Sequence, residues 1–301
     1  MWEVAIVGGG AAGCSAAIYC GRFGLKTLLL DRGVGDGQLE QAAEIMNYPA
    51  LLSIKGSELC ELLRIQARQS GAVLQNAELR SVRLDGEIKR LDTADGTVES
   101  RTVILSTGAR PRRLGAEGEA ALIGRGVSYC ATCDAPLYRG KTVAVVGGGN
   151  SAVSEALHLS RLCKEVHLLF RRPMLRVAEK EQAALNAREN ILPHPEAQIT
   201  ALLGEERLHG VRLSNGTELA LNGLFVAVGR EPESALFRTQ LACDPSGGIL
   251  TDDEMQTALP GVFAAGDVRR KAVRQIVTAA ADGAIAACSA EKYIRHLGQT
   301  E

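Results

Sequence analysis

The sequence predicts an α/β fold of two Rossmann-like dinucleotide-binding domains, because one glycine-rich pattern occurs twice in a strand–turn–helix context. Residues 4–13 read VAIVGGGAAG and residues 143–152 read VAVVGGGNSA. Each copy is a short apolar run followed by Gly-x-Gly-x-x-Gly/Ala, a helical pattern and a second apolar run. In this motif the glycines permit a tight turn, admit a pyrophosphate to the main chain and let the helix pack on the strand. A single copy is a weak signal, whereas two copies in the same context are a strong one.

The positions of the two copies also predict the domain organisation. The chain has 301 residues, which suits about two domains. A buried strand over 262–265 and a helical pattern over 276–287 follow the second copy and suit completion of the first domain. We therefore expect the second domain to be inserted into the first. The expected bounds are 1–113 and 238–301 for the first domain and 114–237 for the second.

The two copies differ where nucleotide specificity is set. The first ends its second strand on Asp31, and a carboxylate there accepts hydrogen bonds from an adenosine ribose. At the equivalent place the second has Phe170, followed by Arg171-Arg172 and by Arg176, and arginines suit a 2′-phosphate. We expect FAD at the first motif and NADPH, in preference to NADH, at the second. The alternative is that Arg171 and Arg172 are merely a solvated strand end.

A Cys-x-x-Cys pair lies just ahead of the second glycine motif. Cys130 and Cys133 enclose Ala-Thr, and Asp134 follows at once. Such a pair beside dinucleotide-binding units is typical of a redox dithiol, and an adjacent carboxylate can move the proton that thiol exchange needs. The alternative, half of a structural zinc site, requires two more ligands at matching spacing, which the sequence does not offer. The six other cysteines are scattered among apolar residues and are interpreted as core filling.

Composition excludes several classes of function. Lys+Arg number 34 against 35 Asp+Glu, so the charge balance gives no indication of nucleic-acid or anionic-membrane binding. We find no apolar stretch long enough to span a bilayer and no leader pattern at the N-terminus. We therefore expect a cytoplasmic protein without a metal site.

Four further segments carry local predictions. Residues 57–70 predict an amphipathic helix with Ser57 as N-cap, and residues 82–92 and 98–105 predict strands punctuated by turns at Asp85-Gly86 and Asp95-Gly96. Asn215-Gly216 between two short apolar runs predicts a hairpin. The buried face of the predicted helix comprises Leu59, Leu62, Leu63 and Ala67.

Taken together, these segments resemble low-molecular-weight thioredoxin reductases, a flavin-dependent family of pyridine nucleotide-disulfide oxidoreductases. The resemblance covers essentially the whole chain. It is carried by VGGGAAG (7–13), GQL (37–39), NYP (47–49), STGA (106–109), SYCATCD (128–134), VAVVGGGNSAVSEA (143–156), FRRPMLR (170–176), VFAAGDVR (262–269) and RQIVTAAADGAIAA (274–287).

The resemblance implies a homodimer that passes hydride from NADPH to FAD, then electrons to the Cys130–Cys133 disulfide and on to thioredoxin. Cys133 would face the flavin, Cys130 would attack thioredoxin's disulfide, and Asp134 would be the acid–base. The implied NADPH residues are Gly149, Asn150, Ser151, Arg171, Arg172 and Arg176. The implied FAD residues are Gly8, Gly10, Gly13, Asp31, Arg32, Gln38, Asn47, Val82, Thr107, Gly108, Asp267, Arg274 and Gln275.

Other functions remain open at this point. Within the same fold, the chain could take electrons from ferredoxin or another donor, or run in reverse as an oxidase of small dithiols. Outside enzymes, it could be a nucleotide-binding redox sensor without turnover. The retained arginines favour NADPH as the donor.

Overall fold

The computed structural model describes residues 1–33, 37–42 and 44–300. Within them the chain divides into two compact units, one made of Met1–Arg110 and Glu231–Glu301 and the other of Pro111–Arg230. The return to the first unit falls at Glu231, earlier than the expected 238, because Phe237 and Leu241 are packed into the first unit's core. The forward boundary likewise falls before Pro111 and not after Arg113.

The first chain segment alternates strands with two helices and then forms an antiparallel extension. Its elements are β1 (Trp2–Val7), α1 (Ala11–Arg22), β2 (Thr27–Asp31), α2 (Gly56–Gln69), β3 (Val73–Asn76), β4 (Leu79–Arg83), β5 (Lys89–Thr93), β6 (Gly96–Leu105) and β7 (Ala109–Pro111).

The second unit repeats the alternation, and the chain then returns to the first. The elements of the second unit are α3 (Glu119–Leu122), β8 (Val127–Ser128), α4 (Ala131–Asp134), β9 (Thr142–Val146), α5 (Asn150–Leu159), β10 (Glu165–Leu169), α6 (Glu179–Asn186), β11 (Ile191–His194), β12 (Ile199–Leu203), β13 (Gly210–Leu213), β14 (Glu218–Ala220) and β15 (Gly223–Val226). The returning chain forms β16 (Arg230–Pro232), which pairs with β7, then β17 (Val262–Ala264) and α7 (Ile276–Thr300).

The sheet of the first unit is parallel where it carries the glycine motif. Its order is β3-β2-β1-β6-β5-β4, with β17 also on β6. β1 lies between β2 and β6, with Ile6 opposite both Leu29 and Ile104. β5 and β4 continue the sheet in antiparallel pairing.

Alternation along these strands fills two cores, one on each face of the sheet. Val4, Ile6 and Leu29 pack against the helices α1, α2 and α7. Their neighbours Ala5 and Val7 point to the opposite face, toward the β4–β5 extension and the segment after β16. The result is a three-layer unit, as the α/β fold class requires.

The second unit is built in the same way around a parallel five-stranded sheet. Its order is β11-β10-β9-β15-β8. Val143 and Val145 face a core shared with α5, whereas Ala144 and Val146 face the antiparallel sheet β12-β13-β14. The predicted hairpin at Asn215-Gly216 is confirmed, since it joins β13 to β14.

The two glycine turns are closely alike. The amide of Gly8 donates to the carbonyl of Leu30 at 2.8 Å, and the amide of Gly147 donates to that of Leu169 at 2.9 Å. Both glycines have positive φ, +105° and +150°, which favours glycine at this first position. A Cβ on either one would also run into a neighbouring backbone carbonyl.

Two local predictions are corrected by the structure. Helix α2 begins after Lys55 as N-cap, so Ser57 lies inside the helix. Leu62 is half exposed, and Arg64 is on the buried side of the helix instead. The Asp85-Gly86 turn predicted within 82–92 is confirmed, because the chain turns back between β4 and β5.

No helix in the described part of the chain is both long enough and apolar enough to cross a membrane.

Helices α1 and α7 approach each other closely enough to require glycine. A Cβ on Gly283 of α7 would collide with the carbonyl oxygen of Ala12 in α1. We predict that Gly283→Ala lowers the free energy of unfolding by about 1–3 kcal/mol, since the helices must separate to admit a methyl group. Urea denaturation measures this, with Ala281→Ser on the exposed side of α7 as the control. Equal stability of Gly283→Ala and wild type would contradict the packing.

Candidate functional sites

A cleft at the carboxyl ends of the second unit's strands gathers the predicted NADPH residues. Its volume is about 640 Å³. All six lie in its wall: Gly149, Asn150, Ser151, Arg171, Arg172 and Arg176. This is the end of a parallel sheet where nucleotides bind in such folds.

The cleft combines a helix N-terminus with free cations. Helix α5 begins at Asn150, directly after Gly149, so its first amides point into the cleft. Arg171, Arg172 and Arg176 are exposed, and the amide of Arg176 is tied to the carbonyl of Gly148 at 3.0 Å. The arrangement suits a phosphorylated ligand.

Two further arginines line this cleft and were not predicted. Arg112 and Arg113 lie on its wall beside Leu114. The sequence analysis placed them in a linker because Pro111 precedes them. No local sequence signal could have found them, because Arg112 is held by a hydrogen bond from its amide to the carbonyl of the distant Gly229.

In the first unit, Asp31 lies directly over the glycine turn. A Cβ on Gly9 would be 2.5 Å from Oδ2 of Asp31, while a Cβ on Gly10, the N-cap of α1, would meet nothing within 4 Å. Gly13 packs against the carbonyl of Gly8, so a side chain there would break the turn. The loop is therefore closed toward the strands and open at Gly10, as the approach of a pyrophosphate requires.

Several other predicted FAD residues are held by hydrogen bonds within the first unit. The side-chain amide of Gln38 donates to the carbonyl of Ala109, directly after Gly108, and the amide of Asn47 donates to Oε1 of Gln275 at 3.1 Å. The hydroxyl of Thr107 donates to the carbonyl of Glu233 at 2.7 Å.

Three other predicted FAD residues make contacts that do not themselves point to a nucleotide. Arg32 lies 3.7 Å from Glu233 and is exposed. Val82 lies in β4, where its carbonyl accepts from Gln240. Arg274 donates to the carbonyls of Lys271 and Arg269, while its buried Nε has no hydrogen-bond partner among the described residues.

Asp282, which the sequence analysis did not single out, stabilises the turn at Gly266-Asp267. Its carboxylate accepts from the amide of Gly266 at 3.0 Å and pairs with Lys271 at 2.7 Å and Arg269 at 3.3 Å. Asp282 is almost fully buried in α7. A charged residue within an otherwise apolar helical pattern was the available signal, because a buried charge needs partners.

The residues of the first unit fit an adenine dinucleotide. The loop is open where a pyrophosphate approaches, and a carboxylate ends β2 where the ribose lies. The buried, unsatisfied Nε of Arg274 adds a donor for an anionic or carbonyl group.

The predicted dithiol is closed as a disulfide at the start of a short helix. Cys130 is the N-cap of α4 and is bonded to Cys133, with the Cα atoms 5.3 Å apart. Ser128 organises the turn, since its hydroxyl donates to Oδ2 of Asp134 at 2.7 Å and accepts from the amide of Cys130 at 3.0 Å. Ser128 was not predicted, although it stands in the segment that carries the resemblance.

Tyr129, directly before the disulfide, is anchored by a buried carboxylate. Its hydroxyl donates to Glu119, which also accepts the amides of Leu114 and Gly115, each at 2.9 Å. Burial and this carboxylate raise the pKa of Tyr129 to about 12, so the phenol stays protonated as a donor. Glu119 therefore connects Leu114 and Gly115, which follow the arginines of the cleft, to Tyr129, which directly precedes the disulfide.

Four of the other cysteines are poor nucleophiles because they are buried. All six are free, and four are buried: Cys14, Cys20, Cys60 and Cys163. Burial raises the pKa of Cys14 and Cys20 to about 12 and that of Cys60 and Cys163 to about 11, which suppresses the reactive thiolate. In the described ranges, His, Cys, Asp and Glu side chains form no cluster suited to a metal ion.

A family model described as pyridine nucleotide-disulphide oxidoreductase matches residues 2–283. The chain belongs to this family. Within it, the chain is 39% identical over 307 residues to a thioredoxin reductase of Listeria monocytogenes, covering 100% of this chain and 96% of the relative. It is 40% identical over 303 residues to that of Treponema pallidum, covering 97% of each.

Solved structures agree with these relatives. A thioredoxin reductase from Streptococcus pyogenes matches with a TM-score of 0.92 and 35% identity, covering 98% of this chain and 99% of the other. One from Giardia duodenalis matches with a TM-score of 0.92 and 32% identity over the same shares. The fold of this oxidoreductase is thus of the FAD/NAD(P)-binding, Rossmann-like type.

Helix α5 of this oxidoreductase also carries a carboxylate that the sequence analysis did not single out. Oε2 of Glu155 is buried without a hydrogen-bond partner in the described residues. Burial raises its pKa to about 7, against which the charge of Arg230 acts only in part.

This carboxylate makes stability depend on pH. Between its ordinary pKa of 4.5 and about 7, folded Glu155 holds a proton that the unfolded chain has lost, so stability falls as pH rises through that window. We predict that Glu155→Gln removes this loss and is more stable than wild type by about 1–3 kcal/mol at pH 8, with little difference at pH 4.5. Urea midpoints across this range measure it, and exposed Glu179→Gln is the control. If the urea midpoints of wild type and Glu155→Gln changed with pH in the same way, the raised pKa of buried Glu155 would be contradicted.

Proposed function

We propose that this chain is an NADPH-dependent thioredoxin-disulfide reductase containing FAD. The observation that carries the proposal is the Cys130–Cys133 disulfide, set with Ser128 and Asp134 in the same unit as an arginine-lined nucleotide cleft. The full-length similarity to enzymes named thioredoxin reductase supports thioredoxin as the substrate. When bound, FAD supplies the two-electron chemistry between NADPH and the disulfide.

The first unit is the proposed FAD domain. Gly8, Gly10 and Gly13 receive the pyrophosphate at the start of α1, and Asp31 accepts from the adenosine ribose. The other residues proposed to surround FAD are Arg32, Gln38, Asn47, Val82, Thr107, Gly108, Asp267, Arg274 and Gln275.

The second unit is the proposed NADPH domain. Gly149, Asn150 and Ser151 present the N-terminus of α5 to the pyrophosphate, while Arg171, Arg172 and Arg176 bind the 2′-phosphate by charge-assisted hydrogen bonds. Phe170 stands where Asp31 stands in the first unit, so no carboxylate repels that phosphate.

The dithiol carries the electrons out of the protein. Reduction of the disulfide gives two thiols. Asp134 takes the proton of Cys130, whose thiolate attacks one sulfur of thioredoxin's disulfide. That disulfide breaks as a mixed disulfide forms, and Asp134 passes the proton to the leaving thiolate. The sulfur of Cys133 then attacks Cys130 and its proton passes to the second thioredoxin sulfur, which releases reduced thioredoxin and restores the Cys130–Cys133 bond.

We also propose that the chain is a homodimer of the cytoplasm. Exposed aromatic side chains on the first unit support association. Tyr19 of α1 and Phe23, the C-cap of that helix, stack edge to face while each keeps over 40% of its surface exposed. The six free thiols suit a compartment in which thioredoxin keeps cysteines reduced.

The alternatives predict different donors or directions. A ferredoxin-linked reductase or a dithiol oxidase has no use for a cation cluster in the nucleotide cleft, and a redox sensor would show no steady-state turnover. The three arginines in the cleft, with Arg112 and Arg113 beside them, favour NADPH as the donor.

The role of the disulfide is tested by Cys130→Ser. We predict loss of thioredoxin-dependent NADPH oxidation, because the attacking sulfur is gone, while NADPH still bleaches the flavin. Steady-state assays with oxidised thioredoxin and anaerobic spectra measure the two effects. Cys243→Ser, which removes a half-buried thiol elsewhere, is the control and should turn over like wild type. Full thioredoxin reduction by Cys130→Ser would refute the proposal.

The donor is tested by Arg171→Gln/Arg172→Gln. We predict that the KM for NADPH rises roughly tenfold to hundredfold while that for NADH changes little, because only NADPH carries the 2′-phosphate. Arg161→Gln, on the exposed surface of the same unit, is the matched control. An equal change for both nucleotides would count against this assignment.

A further inference from the structure

An arginine on α2 is buried against the carboxylate that ends β2. Nη2 of Arg64 lies 2.7 Å from Oδ2 of Asp31, and Nη1 lies 2.6 Å from Oε1 of Glu40. Only 10% of the Arg64 side chain is exposed, and 24% and 7% of the two carboxylates. A guanidinium is costly to bury, so such a cluster is stable only when each charge is paired with good geometry.

The cluster fixes the orientation of the Asp31 carboxylate. Oδ2 is held by Arg64, and Oδ1 accepts from the amide of Arg32 at 2.9 Å. The same carboxylate lies over Gly9 in the nucleotide turn. Each carboxylate oxygen has a second lone pair, and nearly a quarter of the side chain is exposed, so the group can still accept from a ligand.

Glu40 neutralises the charge that Arg64 brings to this site. Burial by itself lowers the pKa of the guanidinium, but the hydrogen bonds to Asp31 and Glu40 outweigh it and leave the pKa raised, so Arg64 stays charged. One cation then faces two carboxylates, and the cluster carries no free positive charge. The second unit differs here, since exposed Arg171 and Arg172 follow the strand end with no such pairing among the described residues.

We propose that Arg64 is a positioning residue that holds Asp31 ready for an adenosine ribose, and that Glu40 prevents Arg64 from recruiting a 2′-phosphate. The inference rests on the proposed binding of FAD by the first unit. It assigns specificity for a free ribose to three residues on three segments, and not to Asp31 alone.

Arg64→Met tests the positioning role in full-length apoprotein titrated with FAD. We expect the Kd for FAD to rise roughly tenfold to hundredfold, as charge-assisted hydrogen bonds are lost. The affinity for an FAD analogue that lacks the adenosine 2′-hydroxyl should fall far less, because that ligand has no hydroxyl there to donate a hydrogen bond to Asp31. Arg68→Met removes an exposed arginine of the same helix and should bind FAD as wild type does.

Arg64→Lys keeps the test decisive if the methionine variant fails to fold. Lysine keeps the positive charge but lacks the planar pair of nitrogens by which Arg64 contacts both carboxylates, so we expect an intermediate Kd with the same preference between FAD and its analogue. An equal loss for both ligands, or no loss for either, would overturn the positioning role. A wild-type apoprotein that binds no FAD would instead overturn the proposed function, and this inference with it.

Glu40→Gln tests the second half of the proposal. The competitors are ADP and adenosine 2′,5′-bisphosphate, and the signal is release of FAD, which reports only on the first unit's site. We expect the preference to move roughly fivefold to tenfold toward the bisphosphate, since the cluster loses one of its two negative charges and only Asp31 then balances Arg64. An unchanged preference would show that Glu40 does not exclude the phosphate.

Discussion

Both proposed nucleotide sites depend on one constraint: the backbone at the end of each first strand must turn against its neighbouring strand with no side chain in between. Gly8 and Gly147 satisfy it with positive φ and with amides donated to Leu30 and Leu169. Because the turn is held in this way, the following helix starts with its free amides aimed at the cleft. The placement of Asp31 over Gly9, and of Arg176 against Gly148, follows from the same turns.

The two units share this glycine turn but differ in the charged residues beside it. In the first unit the strand ends on Asp31, whose charge is balanced by a buried arginine from a different helix. In the second unit, Phe170 fills the equivalent place, packs against Gly148 and leaves the following arginines exposed. Under the proposed function, one kind of turn therefore serves both a ligand with a free ribose and a ligand with a 2′-phosphate, according to the charges beside it.

The sequence predicted those features that are local to a motif. Each of these features is recognised from a few neighbouring residues: the glycine turns, the Cys-x-x-Cys pair and the arginines after β10. All six predicted NADPH residues line one cleft. Contacts between distant segments could not be read in this way. Arg64 and Glu40 meet Asp31 only in the fold, and Asp282 reaches Gly266 from the last helix. Periodicity even misassigned α2, since it favours Leu62 over Arg64 on the buried face when the arginine's buried partners are unknown.

The central claim is that electrons from NADPH pass through a flavin to the Cys130–Cys133 disulfide of the same chain. The most direct measurement is an anaerobic NADPH titration of the holoprotein, followed at the flavin band in wild type and in a Cys130→Ser/Cys133→Ser variant. The account predicts that wild type takes up two electron pairs per chain, one for the flavin and one for the disulfide, and that the variant takes up one. Equal uptake by the two proteins, or a flavin that NADPH does not bleach, would contradict it.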